Sequence, residues 1–313
     1  MIRWNSGVDG KVRIKEEKIV PDVYSGTLCP EGFYFEVFYL KTTTTQKLTI
    51  LRQSLPSTWS EKIARRNEWL VLLTLLIVLG VWWAVVSWGN LPAFVLPSPT
   101  AVWNKFVVTL KDGSLLANTW VTLKEVLAGL FAGACFAIVI GYLLARSQSL
   151  EKMVSPLLVA GQAIPTVAIA PILIIWFGSG ISSKILVCAL TVFFPILVNT
   201  IIGFRNVPSN LRDLMKSMHA SSWQIFTLLE VPASMPVLLG GLRIGATLSV
   251  IGAVVGEFVG SDKGLGFLIN VGRGQYEMAL VFVAIFTLIV LALCLYGAVV
   301  FAEYLSMPWK RNH

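Results

Sequence analysis

Six long apolar segments constrain the fold of this chain more than any other feature of its sequence. A helix that crosses the hydrocarbon core of a bilayer needs about 20 mostly apolar residues, and six segments meet that length. They cover residues 69–88, 120–145, 154–177, 184–204, 236–260 and 279–302. Lipid offers backbone N–H and C=O groups no hydrogen-bond partner, so each crossing segment must be helical. The sequence therefore predicts an all-α membrane protein with six transmembrane helices.

The composition fits that prediction and narrows the class of partner. Of the 313 residues, 56% are hydrophobic and only 13% are charged, whereas soluble domains carry about 25% charged residues. In a soluble protein, the net charge of +8 would suggest nucleic acid as a partner. Here the basic residues stand largely at the ends of apolar segments, where they set the orientation of a membrane protein. We therefore expect membrane lipid, and no nucleic acid, among the partners.

The loops between the apolar segments differ in their content of Lys and Arg, and this difference predicts the orientation. With the N-terminus inside, the cytoplasmic flanks hold Lys62, Arg65, Arg66, Arg146, Lys152, Arg205, Arg212, Lys216, Lys310 and Arg311. The external loops then hold fewer basic residues, namely Lys105, Lys111, Lys184, Lys263 and Arg273. The bias predicts a multi-pass protein with both termini in the cytoplasm.

The first 67 residues precede the membrane domain and are mixed and polar. They contain no short apolar core followed by a small-residue cleavage site, which a signal peptide would require. FYFEVFYL at 33–40 is compatible with a short strand, and disorder, a small appended element and a misassigned start are open alternatives. The predicted organisation is a cytoplasmic extension over 1–67, a transmembrane domain over 68–308 with a cytoplasmic loop at 209–235, and a cytoplasmic tail over 309–313.

Two segments outside the membrane have structure of their own. Residues 97–112, PSPTAVWNKFVVTLKD, begin with Pro and Ser/Thr cap signals and continue with apolar residues at helical spacing. We expect an interfacial helix that lies along the outer surface. Residues 261–278 are rich in glycine and are expected to form an ordered loop over the outer mouth.

The sequence offers little material for catalysis or metal binding. Its two histidines and four cysteines are far apart and form no CxxC pair. GSDKGLG at 260–266 lacks the GK[ST] ending of a phosphate-binding loop. No clustered His, Asp or Ser–Lys set in the apolar segments would supply a nucleophile or a base. We therefore expect no catalytic residue, no metal site and no cofactor bound by this chain, so that ATP, if it drives the protein, is bound by another chain.

The segment Asp213–Pro232, DLMKSMHASSWQIFTLLEVP, is a polar interruption between two apolar segments, and the charge bias places it in the cytoplasm. We expect a short amphipathic helix near Ser221–Leu229 that lies in a groove of a soluble partner, with Trp223, Phe226 and Leu229 as apolar anchors. A surface helix that lies on the membrane without a partner is the alternative.

Several motifs follow one another in order between residues 92 and 308. They are LPSP at 96–99, NTWVTLKEVLAGL at 118–130, QAIPTVAIAPILIIWFGSG at 162–180, FFPILVNTIIGFRNVP at 193–208 and GEFVGSDKGLGFLI at 256–269. As an ordered set, they resemble the permease subunits of binding-protein-dependent ABC importers, and within these the nitrate/sulfonate/taurine group.

The loop after the fourth segment resembles the ATPase-docking pattern of that family, EAA-x3-G-x9-I-x-LP, with its spacing intact. Asp213 stands at the Glu position and His219 at the Gly position. The residues that the resemblance assigns to ATPase coupling are Asp213, His219, Ala220, Ser221, Trp223, Phe226, Leu229, Val231 and Pro232. Glycine at a helix junction permits a positive φ, and histidine adopts such a φ more readily than most residues but adds bulk. His219 is therefore the main departure from the family pattern.

The resemblance implies a permease subunit in a bacterial inner membrane, without enzymatic activity of its own. Its implied partners are a second permease copy in a homodimer, two cytoplasmic ATPases that bind ATP and Mg²⁺, and an external solute-binding protein. The solutes of such importers include nitrate-, sulfonate-, taurine- and bicarbonate-like anions and vitamin precursors, and the sequence does not select among them. A regulatory or scaffold membrane protein with the same fold is the alternative function.

Charged residues inside the apolar segments are costly and are often functional. Glu257, near the outer end of the fifth segment, is the foremost of them. We expect it to gate the translocation path or to brace the outer loop by pairing with Arg273 or Lys263, ahead of contacting substrate, because a carboxylate repels anions. Lys124 and Glu125, near the start of the second segment, are expected to snorkel or to pair at the membrane interface.

Uncharged residues are the other candidates for the translocation path. Gln162, Pro165 and Thr166 lie at a proline break in the third segment, and Asn199 adds an amide in the fourth. Irregular backbone inside a bilayer is tolerated mainly where it lines a cavity or packs against protein. We predict that these four residues line the path, with helix kinks and interhelical hydrogen bonds as the alternative roles.

Overall fold

The computed structural model describes residues 57–89 and 92–307, and every regular element in these ranges is helical. The predicted strand at 33–40 lies outside the described residues. In chain order the helices are α1 (Ser57–Gly89), α2 (Pro99–Lys111), α3 (Ser114–Arg146), α4 (Gln148–Ala163), α5 (Thr166–Phe177), α6 (Ile181–Arg205), α7 (Ser209–Ser217), α8 (Ser222–Ile225), α9 (Val231–Gly260), α10 (Leu265–Gly274) and α11 (Met278–Ser306). A five-residue π-helical turn, Phe226–Glu230, joins α8 to α9. The all-α prediction is confirmed for the described part of the chain.

Four helical runs are long and apolar enough to cross a membrane. They are α3, α6, the run Ser222–Gly260 that contains α9, and α11. Helices α4 and α5 meet the same criterion only as a pair, which is bent by 91°. The first predicted segment, 69–88, overlaps a shorter apolar stretch of α1, Leu76–Gly89. The described residues thus supply four or five clear spans, and the number six stays a prediction.

Helix α6 is the central helix of the membrane domain, because it packs along both α3 and α9. Val192, Ile196 and Leu197 on α6 are almost fully buried between these neighbours. Two glycines show how closely the helices approach. A Cβ on Gly133 of α3 would lie 2.6 Å from the carbonyl oxygen of Ala189, and a Cβ on Gly252 of α9 would lie 2.9 Å from the Cα of Cys188. Small residues at these positions therefore allow backbone-to-backbone packing, as is common in membrane bundles.

The junction of α4 and α5 lies at Ile164 and Pro165, which have extended backbone conformations with ψ of 120° and 123°. Proline has no N–H to continue the hydrogen-bond ladder, and it disfavours a helical conformation for the residue before it. Helix α4 therefore ends at Ala163, and a new helix begins at Thr166 in another direction. The predicted proline break is present.

Helices α2 and α10 are two of the short helices that connect the long ones. Helix α2 begins after Ser98, whose hydroxyl accepts a hydrogen bond from the N–H of Ala101, in agreement with the helix predicted over 97–112. The glycine-rich segment 261–278 differs from its prediction as a loop, because most of it forms α10. Leu265 and Leu268 of α10 are buried, and this tertiary packing outweighs the low helix propensity of its glycines.

Candidate functional site

The loop over residues 209–235 begins with α7, which is followed two residues later by a residue in the left-handed conformation. His219 has a φ of 59°; its N–H donates to the carbonyl of Lys216, and the N–H of Ala220 donates to that of Met215. These bonds satisfy the last carbonyls of α7 in the way that a glycine after a helix usually does. The histidine thus adopts the backbone conformation that the family pattern assigns to glycine.

Helix α8 starts with a reciprocal pair of hydrogen bonds. The backbone N–H of Gln224 donates to the Ser221 hydroxyl, and the backbone N–H of Ser221 donates to the side-chain carbonyl of Gln224 at 2.7 Å. This capping box defines the start of the helix. The helix predicted near Ser221–Leu229 is therefore present as one α-helical turn followed by the π-helical turn, which the sequence pattern did not indicate.

The apolar residues of this loop point in two directions. Trp223 and Leu228 are 71% and 68% exposed, whereas Phe226 is half-buried and packs against the rings of Tyr142 and Phe204. Phe226 therefore contacts its own chain rather than pointing outward, as an anchor for a partner would. Of the other coupling candidates, Asp213, His219 and Ser221 are exposed, and Ala220, Leu229, Val231 and Pro232 are half-buried.

Glu230, the last residue of the π-helical turn, is a buried carboxylate that the sequence reasoning missed. Its side chain is 1% exposed, and its two oxygens each accept from an arginine at 3.0 Å. One arginine is Arg146 at the end of α3, and the other is Arg212 in α7. Arg146 also donates to the hydroxyl of Tyr142. The sequence pattern indicates only that both arginines flank apolar segments.

A second buried carboxylate, Glu257, lies at the opposite end of α9 with no exposed surface. The Thr122 hydroxyl of α3 donates to it at 2.6 Å, and so does the N–H of Gly266. Gly264 has a φ of +111°, and a Cβ there would occupy the position of the Glu257 carboxyl group. Glu257 therefore holds the start of α10 through backbone N–H and hydroxyl donors, and its partners are not the predicted Arg273 or Lys263.

Glu125 and Lys184 lie buried next to this cluster, although they were predicted at the interface and in an external loop. The Lys184 ammonium is 3.8 Å from Glu125 Oε1 and donates to the Ser261 hydroxyl at 2.7 Å. Adjacent residues of a helix point about 100° apart, so Glu125 faces the protein interior while Lys124 points in another direction. Lys124 is exposed and lies 5.3 Å from the centre of the Trp120 ring.

Three of the four neutral path candidates line one cavity of about 440 Å³ at the α4–α5 break. Gln162, Pro165 and Thr166 contribute to its wall, together with Thr191 and the ring of Phe194 from α6. Among the residues that the structure describes, no charged side chain belongs to the lining of this cavity.

Asn199 is not part of that lining. Its amide donates to the carbonyl of Pro195 at 2.8 Å, and its Cβ lies where Gly241 of α9 leaves room. The position of Asn199 fits the alternative role, a packed and hydrogen-bonded residue between helices.

Comparisons with known proteins all point to the membrane components of transport systems. A family model described as binding-protein-dependent transport system inner membrane component matches residues 137–303. The chain is 42% identical over 268 residues to the riboflavin transport system permease protein RibX of Chloroflexus aurantiacus, which covers 84% of this chain and 100% of RibX. It is 34% identical to the formylaminopyrimidine transport permease protein ThiX of Halalkalibacterium halodurans, over 75% of this chain and 94% of ThiX.

The fold also matches a solved structure. A chain of the MetNI methionine ABC transporter in an inward-facing conformation superposes with a TM-score of 0.54 and 20% identity, over 61% of this chain and 94% of the other. The arrangement of helices is therefore shared with that transporter chain.

Proposed function

The chain belongs to the family of binding-protein-dependent transport system inner membrane components, and from this premise we propose that two copies of it form the path of a bacterial importer. It is a membrane-spanning permease subunit of an ATP-driven ABC importer, as the ordered motifs predicted, and its relatives favour a translocating permease over a scaffold with the same fold. ATP and Mg²⁺ bind to two separate cytoplasmic ATPases, an external binding protein delivers the solute, and both termini lie in the cytoplasm.

The loop over 209–235 is the docking site for the ATPase in this proposal. Trp223 and Leu228 present apolar surface beside the capped turn of α8, as a helix that enters a groove of a partner does. The ring of Phe226, directly after this turn, packs against the ring of Tyr142 on α3 and so fixes the turn to the membrane domain. The exposed residues thus supply the contact, and the half-buried ones fix its orientation.

The solute that we propose is an uncharged or weakly charged heteroaromatic compound of the vitamin-precursor type. RibX and ThiX are named for riboflavin and a formylaminopyrimidine, both of which are flat heterocycles. The cavity at the α4–α5 break has the chemistry for such a compound, since Phe194 offers a ring face and Gln162, Thr166 and Thr191 offer neutral hydrogen-bonding groups.

The observation that carries this choice is that the described part of the chain contributes no charged side chain to the lining of the cavity. A small inorganic anion that leaves water needs a full positive charge or several donors to offset its desolvation. The described residues of the cavity wall include neither an arginine nor a lysine. A heterocycle instead exchanges its hydration for apolar contact and a few neutral hydrogen bonds.

Reconstitution in proteoliposomes with the ATPase and the binding protein tests the proposal. Uptake and stimulated ATP hydrolysis would be measured with riboflavin, formylaminopyrimidine, taurine and nitrate as separate probes. We expect one of the two heterocycles to be imported and to stimulate hydrolysis, and the fully ionised probes, zwitterionic taurine and the nitrate anion, to do neither.

Import of taurine or nitrate in preference to both heterocycles would overturn the proposed solute class but leave the importer intact. If the complex takes up no probe and the loaded binding protein does not stimulate its ATP hydrolysis, the importer function is overturned and the scaffold function is favoured.

A further inference from the structure

Glu230 is placed where three separate parts of the chain meet. It ends the π-helical turn that follows α8, directly before α9. Arg212 reaches it from α7, the other limb of the 209–235 loop, and Arg146 reaches it from the end of α3. A single carboxylate therefore joins both limbs of the loop to a long membrane helix.

The same junction is reinforced by side-chain and backbone contacts around Glu230. Arg212 donates through Nη2 to the carbonyl of Phe204 near the end of α6, at 2.9 Å. The ring of Tyr142 lies 4.9 Å from that of Phe204 and 5.1 Å from that of Phe226, centre to centre. The loop is thus attached to α3 and α6 by charge and by aromatic packing.

The charges at this junction resist separation. Glu230 is almost completely buried, while the side chains of Arg146 and Arg212 keep 50% and 29% of their surface exposed. A carboxylate that is buried away from water requires its ionic partners. The two arginines together carry one more charge than Glu230, and their exposed parts allow water to solvate it. If the loop moved without α3, Glu230 would lose one partner while still buried. Moving the loop and α3 together avoids this cost.

We propose that Glu230 is the positioning residue that transmits movement of the 209–235 loop to α3. The inference rests on the proposed function, because the movement comes from the docked ATPase. Physical coupling of this kind needs an element that both sites bias, and the carboxylate with its two arginines links the loop to the membrane helices. Glu230 does not touch the solute or the nucleotide in this scheme.

The test is the Glu230→Gln variant of the permease in the complete complex. Gln keeps the shape of Glu but cannot form ion pairs with the two arginines. We expect the variant to co-purify with the ATPase and to hydrolyse ATP, while the number of solute molecules imported per ATP falls about tenfold. The probe is whichever of riboflavin, formylaminopyrimidine, taurine and nitrate the wild-type complex imports best.

Glu151→Gln is the matched control. Glu151 is also paired with an arginine, but Glu151 lies on α4 and its partner, Arg205, is the last residue of α6 rather than part of the 209–235 loop. The imported solute per ATP should stay at the wild-type value in this control. A purely structural role for Glu230 would lower the yield of complex without changing that ratio, so an unchanged ratio in Glu230→Gln overturns the inference.

If Glu230→Gln does not assemble, Arg146→Gln provides the same test. It leaves the ion pair between Glu230 and Arg212 in place, and its own site is half exposed. We expect a ratio of solute imported per ATP that is about threefold to fivefold lower than that of the wild type, and a wild-type ratio overturns the inference. Absence of import by the wild-type complex would instead contradict the proposed function.

Discussion

Helix α9 has a buried glutamate at each end, and the two are held by different kinds of donor. Glu230, just before α9, accepts from two guanidinium groups that belong to other helices. Glu257, near its last residue, accepts from a hydroxyl and from the backbone of the segment that starts α10. The donors to Glu230 are at the ends of long side chains, so this first arrangement is compatible with several backbone conformations. The second depends on one backbone geometry, which includes a glycine with φ of +111°.

The two ends also differ in their balance of charge. The 209–235 end has one carboxylate between two arginines, both partly exposed. The α10 end has two buried carboxylates, Glu125 and Glu257, near one buried ammonium, that of Lys184. Solvent can offset the excess positive charge at the first end, but it does not reach the second. We therefore expect substitutions at the α10 end to affect stability most, and those at the 209–235 end to affect coupling.

Gly264→Ala should have the largest effect at the α10 end. The new Cβ would displace the Glu257 carboxylate, and alanine would be strained at this φ. Losing the donors of a buried charge and adding backbone strain should lower the free energy of unfolding by about 4 kcal/mol. Thermal unfolding of the purified permease in detergent measures this. Gly274→Ala, at the other end of α10 with no atom near its Cβ, is the control, and equal losses in both variants would contradict the dependence on Glu257.

Lys184→Met should come next, because it leaves Glu125 buried without a cation. We expect a loss of about 3 kcal/mol in the free energy of unfolding. Adding Glu125→Gln should recover most of this loss, since the double variant no longer buries that uncompensated charge. Lys124→Met changes the adjacent, exposed lysine and should cost no more than about 0.5 kcal/mol. Additive losses in the double variant would show that the two side chains do not act as a pair.

Glu257→Gln should have a smaller effect on stability but a clear effect on transport. The amide keeps one acceptor oxygen and leaves one donor of the pair Thr122 and Gly266 unsatisfied, at a cost of about 1–3 kcal/mol. Uptake and stimulated ATP hydrolysis should fall together, while co-purification with the ATPase is unchanged. Glu230→Gln should instead separate hydrolysis from uptake. If Glu257→Gln reduced co-purification with the ATPase more than it reduced uptake, Glu257 would have a role in the fold rather than in the transport mechanism.

The sequence predicts those structural features that are set by residues close to them in the chain. The break at Pro165 and the positions of Gln162 and Thr166 beside it follow from one proline in an apolar segment. The positive φ at His219 follows from the motif position that is normally glycine. In each case the signal lies within a few residues of the feature.

The missed contacts are those between helices that are distant in the chain. Arg146 and Glu230 are 84 positions apart, and no local pattern pairs one arginine with one glutamate at that separation. The prediction that Asn199 lines the path rests on its polarity alone. Its orientation was decided by Gly241 on another helix, which leaves space for the Asn199 side chain. Such pairings depend on the register in which helices pack.

The smallest predicted effect again compares the two ends. Among the described residues other than glycine, only His219 after α7 and Tyr276 after α10 have a positive φ. His219→Gly removes strain but adds chain entropy to the unfolded state, and the net gain should be about 0.5 kcal/mol, or about 1 °C in Tm. Tyr276→Gly removes similar strain but also the edge contact with Phe94, which is worth about 0.5–1.5 kcal/mol. Its Tm should therefore stay level or fall. If both variants gained equally, ring packing would not hold the turn after α10.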